Sequence, residues 1–477
     1  MKERRAIFIN TASQILVRIV TLAFTLVSIK ILTNYLSNTD YGNLNTITAY
    51  VNYFLVIADL GLFSVTVREI SKNPLSEKKI ISNVFFIRLI SSLLACFAAV
   101  GIIYLTPYRS DHNLVFGIMI ACGFLFFNLM GSIGDMILQH RLKMQFSAVA
   151  EFLSKLISLG ALVLVVSLKG NFLWIIFSVI AMSGILIFAF KWYFASKFTP
   201  IKIGYDQKIA KWIFNLAWPI GIIFIANNLF FRLDTIMLFA IKGAVAVSIY
   251  SVAYKILEVT VFFGSYFANS LKPIISRSIE NGEKLKGLIE KSFTAMLLIA
   301  LPIAAISCAY AKEIIAFLSN EGYSIGSPAL IVLSLALPFL YFDILLGEIL
   351  IAKDERKKLL SIAVFILLFN FIFNLIFIPR YSYMGAAYGT LTSEIILFFI
   401  FLYNTRKIVP FKVDFMGIIK MLLVAILTLF FALTLKFLSL HFILGIILST
   451  VFFFLMAYLT GIVSTETVKS LLKSDKE

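Results

Sequence analysis

The chain has 477 residues, of which 61% are hydrophobic and only 14% charged, and its mean hydropathy is +0.97. This composition excludes a water-soluble protein with an ordinary polar surface and predicts an all-α, multi-pass membrane protein. The net charge of +17 comes from basic residues that are spread over many short loops, so it does not indicate a nucleic-acid-binding domain.

The apolar segments predict about fourteen membrane-spanning helices, since each is long enough to cross the hydrocarbon core. The predicted spans are 11–33, 43–67, 81–106, 114–138, 147–167, 171–194, 212–240, 244–271, 289–311, 326–352, 359–378, 384–404, 415–436 and 441–463. The first exceeds the apolar core of a signal peptide, so we interpret it as a span. If the N-terminus lies in the cytoplasm, the inner loops and tails hold roughly 29 Lys and Arg residues and the outer loops roughly 6. This excess of positive charge inside predicts that both termini are cytoplasmic.

A polar stripe follows one face of the first predicted span. Its members recur at steps of three and four, which brings them together on a helix: Thr11, Gln14, Arg18, Thr21, Thr25 and Ser28. An arginine near mid-membrane costs about 2.5–3.5 kcal/mol if lipid surrounds it, so the stripe should face protein or water. We therefore expect it to line a polar cavity within a helical bundle.

Similar stripes occur on the second, seventh and eighth spans. They comprise Asn45, Thr48, Asn52 and Asp59; Asn227, Asn228, Arg232 and Asp234; and Ser251, Tyr254, Glu258, Ser265 and Asn269, with Lys255 beside them. Hydroxyls and amides in membrane helices often serve only to join helices, so helix contact and cavity lining both remain open for them. For the arginines the cavity is favoured, because isolated membrane arginines are usually functional.

Several other intramembrane charges have two interpretations. Arg88 either lines the cavity or extends to the inner interface. Glu151 and Lys155 have the spacing of a helical ion pair, and Lys255 and Glu258 allow the same pairing. A further set is compatible with either ion coupling or helix packing: Asp343, Glu348 and Glu394.

An internal repeat relates the two halves of the chain at an offset of about 200 residues, or six spans. It predicts an N-terminal six-helix bundle at 1–200, a second at 201–410, and an extra hairpin with a cytoplasmic tail at 411–477. An even number of spans gives both halves the same orientation, and such folds place the substrate site between the halves. The connection 276–291 is predicted to be either an interfacial helix or a solvated linker.

Neither a metal centre nor a cofactor site is expected. The three cysteines lie within apolar segments, and the three histidines lie at segment ends without the spacing of metal ligands. No G-x-x-x-x-G-K-[ST] motif occurs, so we expect transport energy from an ion gradient or from product consumption rather than from ATP.

Four stretches resemble the polysaccharide (O-antigen type) flippases of the MOP exporter superfamily, whose relatives include the MATE drug exporters and the lipid II flippases. They are LTNYLSNTDYGNLNTI with IADLGLFSVTVREISK, NNLFFRLDTIMLFAIKGAVAVSIYSVAYKI, LIAKDERKKLLSIAVFILLFNFIFNLIFIPRY, and MGAAYGTLTSEII. The resemblance touches both halves of the chain. One departure is Tyr381-Ser382-Tyr383, where relatives commonly carry glycine after the tyrosine.

The resemblance implies two six-helix bundles that form a V and open to one side at a time. It also implies a cargo, a polyprenyl-pyrophosphate-linked oligosaccharide that moves from the inner to the outer leaflet of a prokaryotic cell membrane. The implied partners are this substrate, membrane lipids, H⁺ or Na⁺, and the polysaccharide polymerase machinery. The protein would not be an enzyme.

The candidate substrate-binding residues follow from the chemistry of that cargo. A pyrophosphate needs cations when it leaves water, which Arg18, Arg88, Arg232 and Lys255 can supply. Amides and hydroxyls that suit a sugar come from Gln14, Asn52, Asn228 and Tyr254. Asp59, Asp234 and Glu258 are candidates for H⁺ or Na⁺ coupling.

Three alternatives remain. A MATE-type drug or metabolite antiporter would favour a cavity dominated by carboxylates, whereas arginines in both halves favour an anionic cargo. A membrane glycan polymerase or acyltransferase usually needs a large external loop or a catalytic His or Asp pair, and these loops are short. A purely structural scaffold would have little use for cations within the membrane, which are Arg18, Lys30, Arg88, Lys155, Arg232, Lys255 and Lys420.

Overall fold

The computed structural model describes residues 2–278, 281–412 and 414–462, without the side chains of residues 2–16, 18, 74, 223, 226, 227, 273 and 356. Within these ranges every regular element is a helix. The chain divides into two compact units, residues 1–248 and 249–477, and the helix Ala244–Ser278 crosses from one to the other.

The first unit is built around one central helix. Its helices are α1 (Lys2–Tyr35), α2 (Asn38–Asp59), α3 (Leu62–Lys72), α4 (Glu77–Tyr104), α5 (His112–His140), α6 (Met144–Ser167), α7 (Phe172–Ile176), α8 (Met182–Ser196) and α9 (Gln207–Lys242). α5 packs against α2, α3, α4, α6 and α8, and α9 packs against α2, α3 and α4. A π-helical turn at Phe177–Ala181 joins α7 to α8.

The second predicted span is not one continuous helix. Leu60 and Gly61, with φ of 45° and 75°, adopt the left-handed conformation and separate α2 from α3. A glycine suits this position because it has no Cβ to clash there. The break lies against α9, where a Cβ on Gly221 would sit 2.5 Å from the backbone carbonyl of Leu60.

The second unit contains α10 (Ala244–Ser278), α11 (Gly282–Ala309), α12 (Ala311–Leu318), α13 (Ser327–Ala352), α14 (Arg356–Tyr381), α15 (Tyr383–Ile408), α16 (Phe415–Phe437) and α17 (Phe442–Leu459). α13 packs against α11, α14 and α15, and the hydroxyl of Tyr341 on α13 donates to the carbonyl of Thr260 on α10 at 2.6 Å. The predicted C-terminal hairpin is present as α16 and α17, which pack on each other and on α11. The tail at 463–477 lies outside the described residues.

Each of the fourteen predicted spans coincides with helical structure, the second being divided between α2 and α3, so the all-helical architecture is confirmed. In the described part of the chain, twelve helices are long and apolar enough to cross a membrane, and α1 adds the shorter apolar stretch Ile19–Tyr35. The count of fourteen is therefore not established. In the connection 276–291, residues from Gly282 onward belong to α11. The repeat boundary at 200/201 stays a prediction, since α9 is part of the first compact unit.

Candidate transport site

The polar stripe of the second span lies on one face of α2, and its side chains are half-buried. Asn45 and Asn52 donate to carbonyls four residues earlier at 2.8 and 2.7 Å, and the hydroxyl of Thr48 does the same at 2.7 Å. These hydrogen bonds stay within α2 and join no two helices. The remaining amide and hydroxyl atoms can therefore meet a ligand without breaking a contact between helices.

In the described part of the first-span stripe, the side chains also form hydrogen bonds within their own helix. Thr25 and Ser28 on α1 are half-buried and donate to the carbonyls of Thr21 and Phe24 at 2.9 and 2.8 Å. The side chains of Gln14 and Arg18 lie outside the described residues.

α2 and α9 bring further predicted residues together inside the first unit. The hydroxyl of Tyr53 on α2 donates to the carbonyl of Leu229 at 3.2 Å, within electrostatic reach of Arg232 and Asp234. Arg232 is half-buried and Asp234 buried, and Asn228 is exposed one turn before Arg232. The sequence analysis missed Tyr53, since nothing in the pattern separates it from the other aromatic residues of α2.

Arg88 is fully buried and is held by two neighbouring helices. Its guanidinium pairs with Asp59 at the end of α2 and donates to the carbonyl of Leu129 on α5 at 2.8 Å. The side chain of Asp59 is 27% exposed, whereas that of Arg88 is 0% exposed. Two residues predicted for different roles, headgroup binding and ion coupling, are thus partners of each other in this conformation.

A second ionic cluster joins α5, α6 and α8 in the same unit. Lys191 on α8 contacts Asp135 on α5 at 2.6 Å and Glu151 on α6 at 3.2 Å, and the Ser147 hydroxyl donates to Asp135 at 2.5 Å. Lys191 is one of the basic residues behind the predicted inner-loop excess, and in the structure it lies within α8 with a side chain that is only 7% exposed. Glu151, predicted to pair with Lys155 of its own helix, bonds across helices to Lys191.

α10 carries the predicted cation of the second unit. Lys255 contacts Glu258 at 2.6 Å, which confirms the pairing that their spacing allowed. Tyr254 beside them is buried, with its ring 5.4 Å from that of Tyr250. In the described ranges, no three His, Cys, Asp or Glu side chains come together in a way that would hold a metal ion.

The comparisons with known proteins agree with this architecture. The model of the polysaccharide biosynthesis protein family matches residues 7–279, and the MatE model matches residues 219–376. The capsular polysaccharide biosynthesis protein CapF of Staphylococcus aureus is 26% identical over 46% of this chain and 56% of that protein. An uncharacterized membrane protein of Methanocaldococcus jannaschii is 23% identical over 79% of both chains.

A probable flippase of Haloferax volcanii, AglR, is 27% identical over 34% of this chain and 35% of that protein. The alignments therefore span little more than half of CapF and about a third of AglR. These matches name a polysaccharide biosynthesis protein, an uncharacterized membrane protein and a probable flippase, in line with the expectation of a transporter rather than an enzyme.

Solved structures show the same fold at low sequence identity. The lipid II flippase MurJ, in an inward closed conformation, has a TM-score of 0.77 with 16% identity and covers 95% of this chain and 98% of its own. An inward-facing MATE multidrug transporter has a TM-score of 0.61 with 15% identity, over 80% and 98%. Because the family model matches more than half of the sequence, this multi-pass membrane protein belongs to the polysaccharide biosynthesis protein family.

Proposed function

We propose that the protein is a flippase that moves a polyprenyl-pyrophosphate-linked oligosaccharide from the inner to the outer leaflet by alternating access, for cell-surface polysaccharide biosynthesis. The observation that carries this proposal is the match of residues 7–279 to the polysaccharide biosynthesis family. The protein would act in the cytoplasmic membrane of a prokaryote, with both termini inside, and would deliver its product to the polymerase machinery.

The polar face of α2 and α9 supports this cargo. The amides of Asn52 and Asn228 use their donors within their own helices, so their carbonyl oxygens suit sugar hydroxyls. The guanidinium of Arg232, half-buried on α9, can bind a pyrophosphate with two parallel hydrogen bonds. Gln14, Arg18, Tyr254 and Lys255 complete the proposed set, and the lipid tail would remain in the bilayer.

Arg88 has a different part in the proposal from the other cations. It is buried and bound to Asp59, so it can reach a headgroup only in a conformation in which that ion pair opens. Asp59 and Glu258 each hold a cationic side chain, and a proton or Na⁺ that bound either carboxylate would release that cation. Coupling through these two residues or through Asp234 would then link ion binding to headgroup binding.

The proposal is tested by transport of a fluorescent polyprenyl-pyrophosphate oligosaccharide in proteoliposomes. Wild type should move the lipid between leaflets, whereas Arg18→Ala and Arg232→Ala should lose most of the rate while remaining folded. Arg109→Ala is the matched control, because Arg109 lies in the exposed Pro107–Ser110 turn and should not affect transport. Folded variants with wild-type rates would contradict the binding role of these arginines.

A MATE-type ion-coupled antiporter is the second candidate, because the MatE model matches residues 219–376. This function predicts ion-dependent export of cationic drugs or metabolites and no movement of the lipid-linked sugar.

A further inference from the structure

Two carboxyl groups that have no part in the proposed function face each other inside the second unit. Asp343 lies near the middle of α13 and Glu394 near the middle of α15, and these helices pack against each other. Their side chains lie within hydrogen-bonding reach of one another. Asp343 is 5% exposed and Glu394 2% exposed, so water does not solvate the pair.

Three of the four carboxyl oxygens have no hydrogen-bond donor in the described part of the chain. Both oxygens of Asp343 and Oε2 of Glu394 are buried and receive no hydrogen bond. Two buried amides of α14 donate to other groups: Asn370 to the Ser393 hydroxyl at 3.0 Å and Asn374 to Asn370 at 2.9 Å. The pair therefore lacks the compensation that buried charges normally have.

No cation balances the pair either. Asp343 and Glu394 interact electrostatically with each other. No Lys or Arg of the described neighbouring helices interacts electrostatically with either carboxyl group. Other charged groups on α10 to α15 are not among the electrostatic partners of this pair: Lys255, Glu258, Glu290, Lys291, Glu313, Glu348, Lys357, Lys358, Arg380, Arg406 and Lys407. Five of them are held in ion pairs of their own: Lys255, Glu258, Glu313, Glu348 and Lys358.

We infer that Asp343 and Glu394 form a proton-binding site that holds one shared proton in this conformation of the second unit. An ionised carboxylate can only accept hydrogen bonds, so two of them cannot bond to each other. One added proton turns either group into a donor and removes the repulsion between like charges. A metal ion fits less well, because Ca²⁺ or Mg²⁺ requires about six oxygen ligands and only two carboxylates meet here.

The proton would hold α13 and α15 together. Its loss would leave two negative charges facing each other in a region without water, so the helices would have to separate or admit solvent. This site is separate from Asp59, Asp234 and Glu258, and the inference does not depend on the identity of the cargo.

The test is infrared difference spectroscopy of the purified protein at neutral pH. Subtracting Glu394→Gln from wild type should reveal the C=O stretching band of a protonated carboxyl group, which shifts in D₂O. Asp343→Asn should remove the same band, because the new amide donates to the remaining carboxylate and keeps it ionised. Testing both substitutions keeps the experiment decisive if one of them folds poorly.

Glu348→Gln is the matched control on the same helix. Glu348 is paired with Lys272 at 2.9 Å, so this substitution should remove carboxylate bands and leave the protonated band in place. The inference is overturned if both site variants lose only carboxylate bands. It is equally overturned if the difference band responds to added NaCl rather than to D₂O, because the occupant would then be Na⁺.

Discussion

The Asp59–Arg88 pair permits a quantitative test of how the first unit is held together. In Asp59→Asn the guanidinium of Arg88 stays fully buried and keeps the Leu129 carbonyl as its remaining hydrogen-bond partner, with Asp135 as a more distant charge. Removing one partner of a buried ion pair costs about 3–5 kcal/mol. Because the side chain of Asp59 is 27% exposed, we expect the lower end, about 3 kcal/mol.

The assay is reversible denaturation of the detergent-solubilised protein, read by fluorescence. The double variant Asp59→Asn/Arg88→Met should recover most of the lost free energy of unfolding, because it removes both charges together. Glu355→Gln is the control, since Glu355 forms an i,i+3 pair with the half-exposed Lys358 and should cost under about 0.5 kcal/mol. A decrease of less than about 1 kcal/mol in the free energy of unfolding of Asp59→Asn would refute the reasoning, because a buried charge left without its partner should destabilise the protein by more than this.

Three more predictions follow from particular contacts. Gly221→Ala should destabilise by about 1–3 kcal/mol, since the new Cβ would lie 2.5 Å from the Leu60 backbone, whereas Gly101→Ala, with nothing within 4 Å, should be neutral or stabilising; equal melting temperatures would contradict this. Asn52→Ala should change stability by less than about 0.5 kcal/mol yet slow transport severalfold in proteoliposomes, and the reverse result would make it a structural residue. Lys191→Met leaves Asp135 without its ion-pair partner and should cost about 3 kcal/mol by denaturation, the lower end for a broken buried pair because the Glu151 side chain is 45% exposed. An unchanged denaturation midpoint would contradict a stabilising role of this ionic cluster.

Local features were predictable because their determinants lie within one helical turn or one apolar segment. Segment length alone indicated where the membrane helices lie. The i,i+3 spacing of Lys255 and Glu258 indicated their ion pair. The break at Leu60–Gly61 was not predicted, because a single glycine in an apolar segment is compatible both with a continuous α-helix and with a left-handed break in it.

Contacts between helices were not predictable from periodicity. Arg88 was expected to line a cavity or reach the interface, and its partner Asp59 lies 29 residues earlier on another helix. Asp343 and Glu394 were each left open between ion coupling and packing, because nothing in the sequence indicates that α13 and α15 bring them face to face. Helix packing decides which side chains of different helices meet, and the packing arrangement cannot be read from a single sequence.

The central claim, an anionic lipid-linked cargo, is tested most directly by offering two cargoes to the same proteoliposomes. One is the fluorescent polyprenyl-pyrophosphate oligosaccharide, and the other is a cationic dye of the kind that an antiporter would export. The account predicts leaflet exchange of the lipid-linked sugar when an ion gradient is present. It predicts no accumulation of the dye, whether or not that gradient is present. Transport of the dye alone would contradict the account and leave the polar face of α2 and α9 without its proposed ligand.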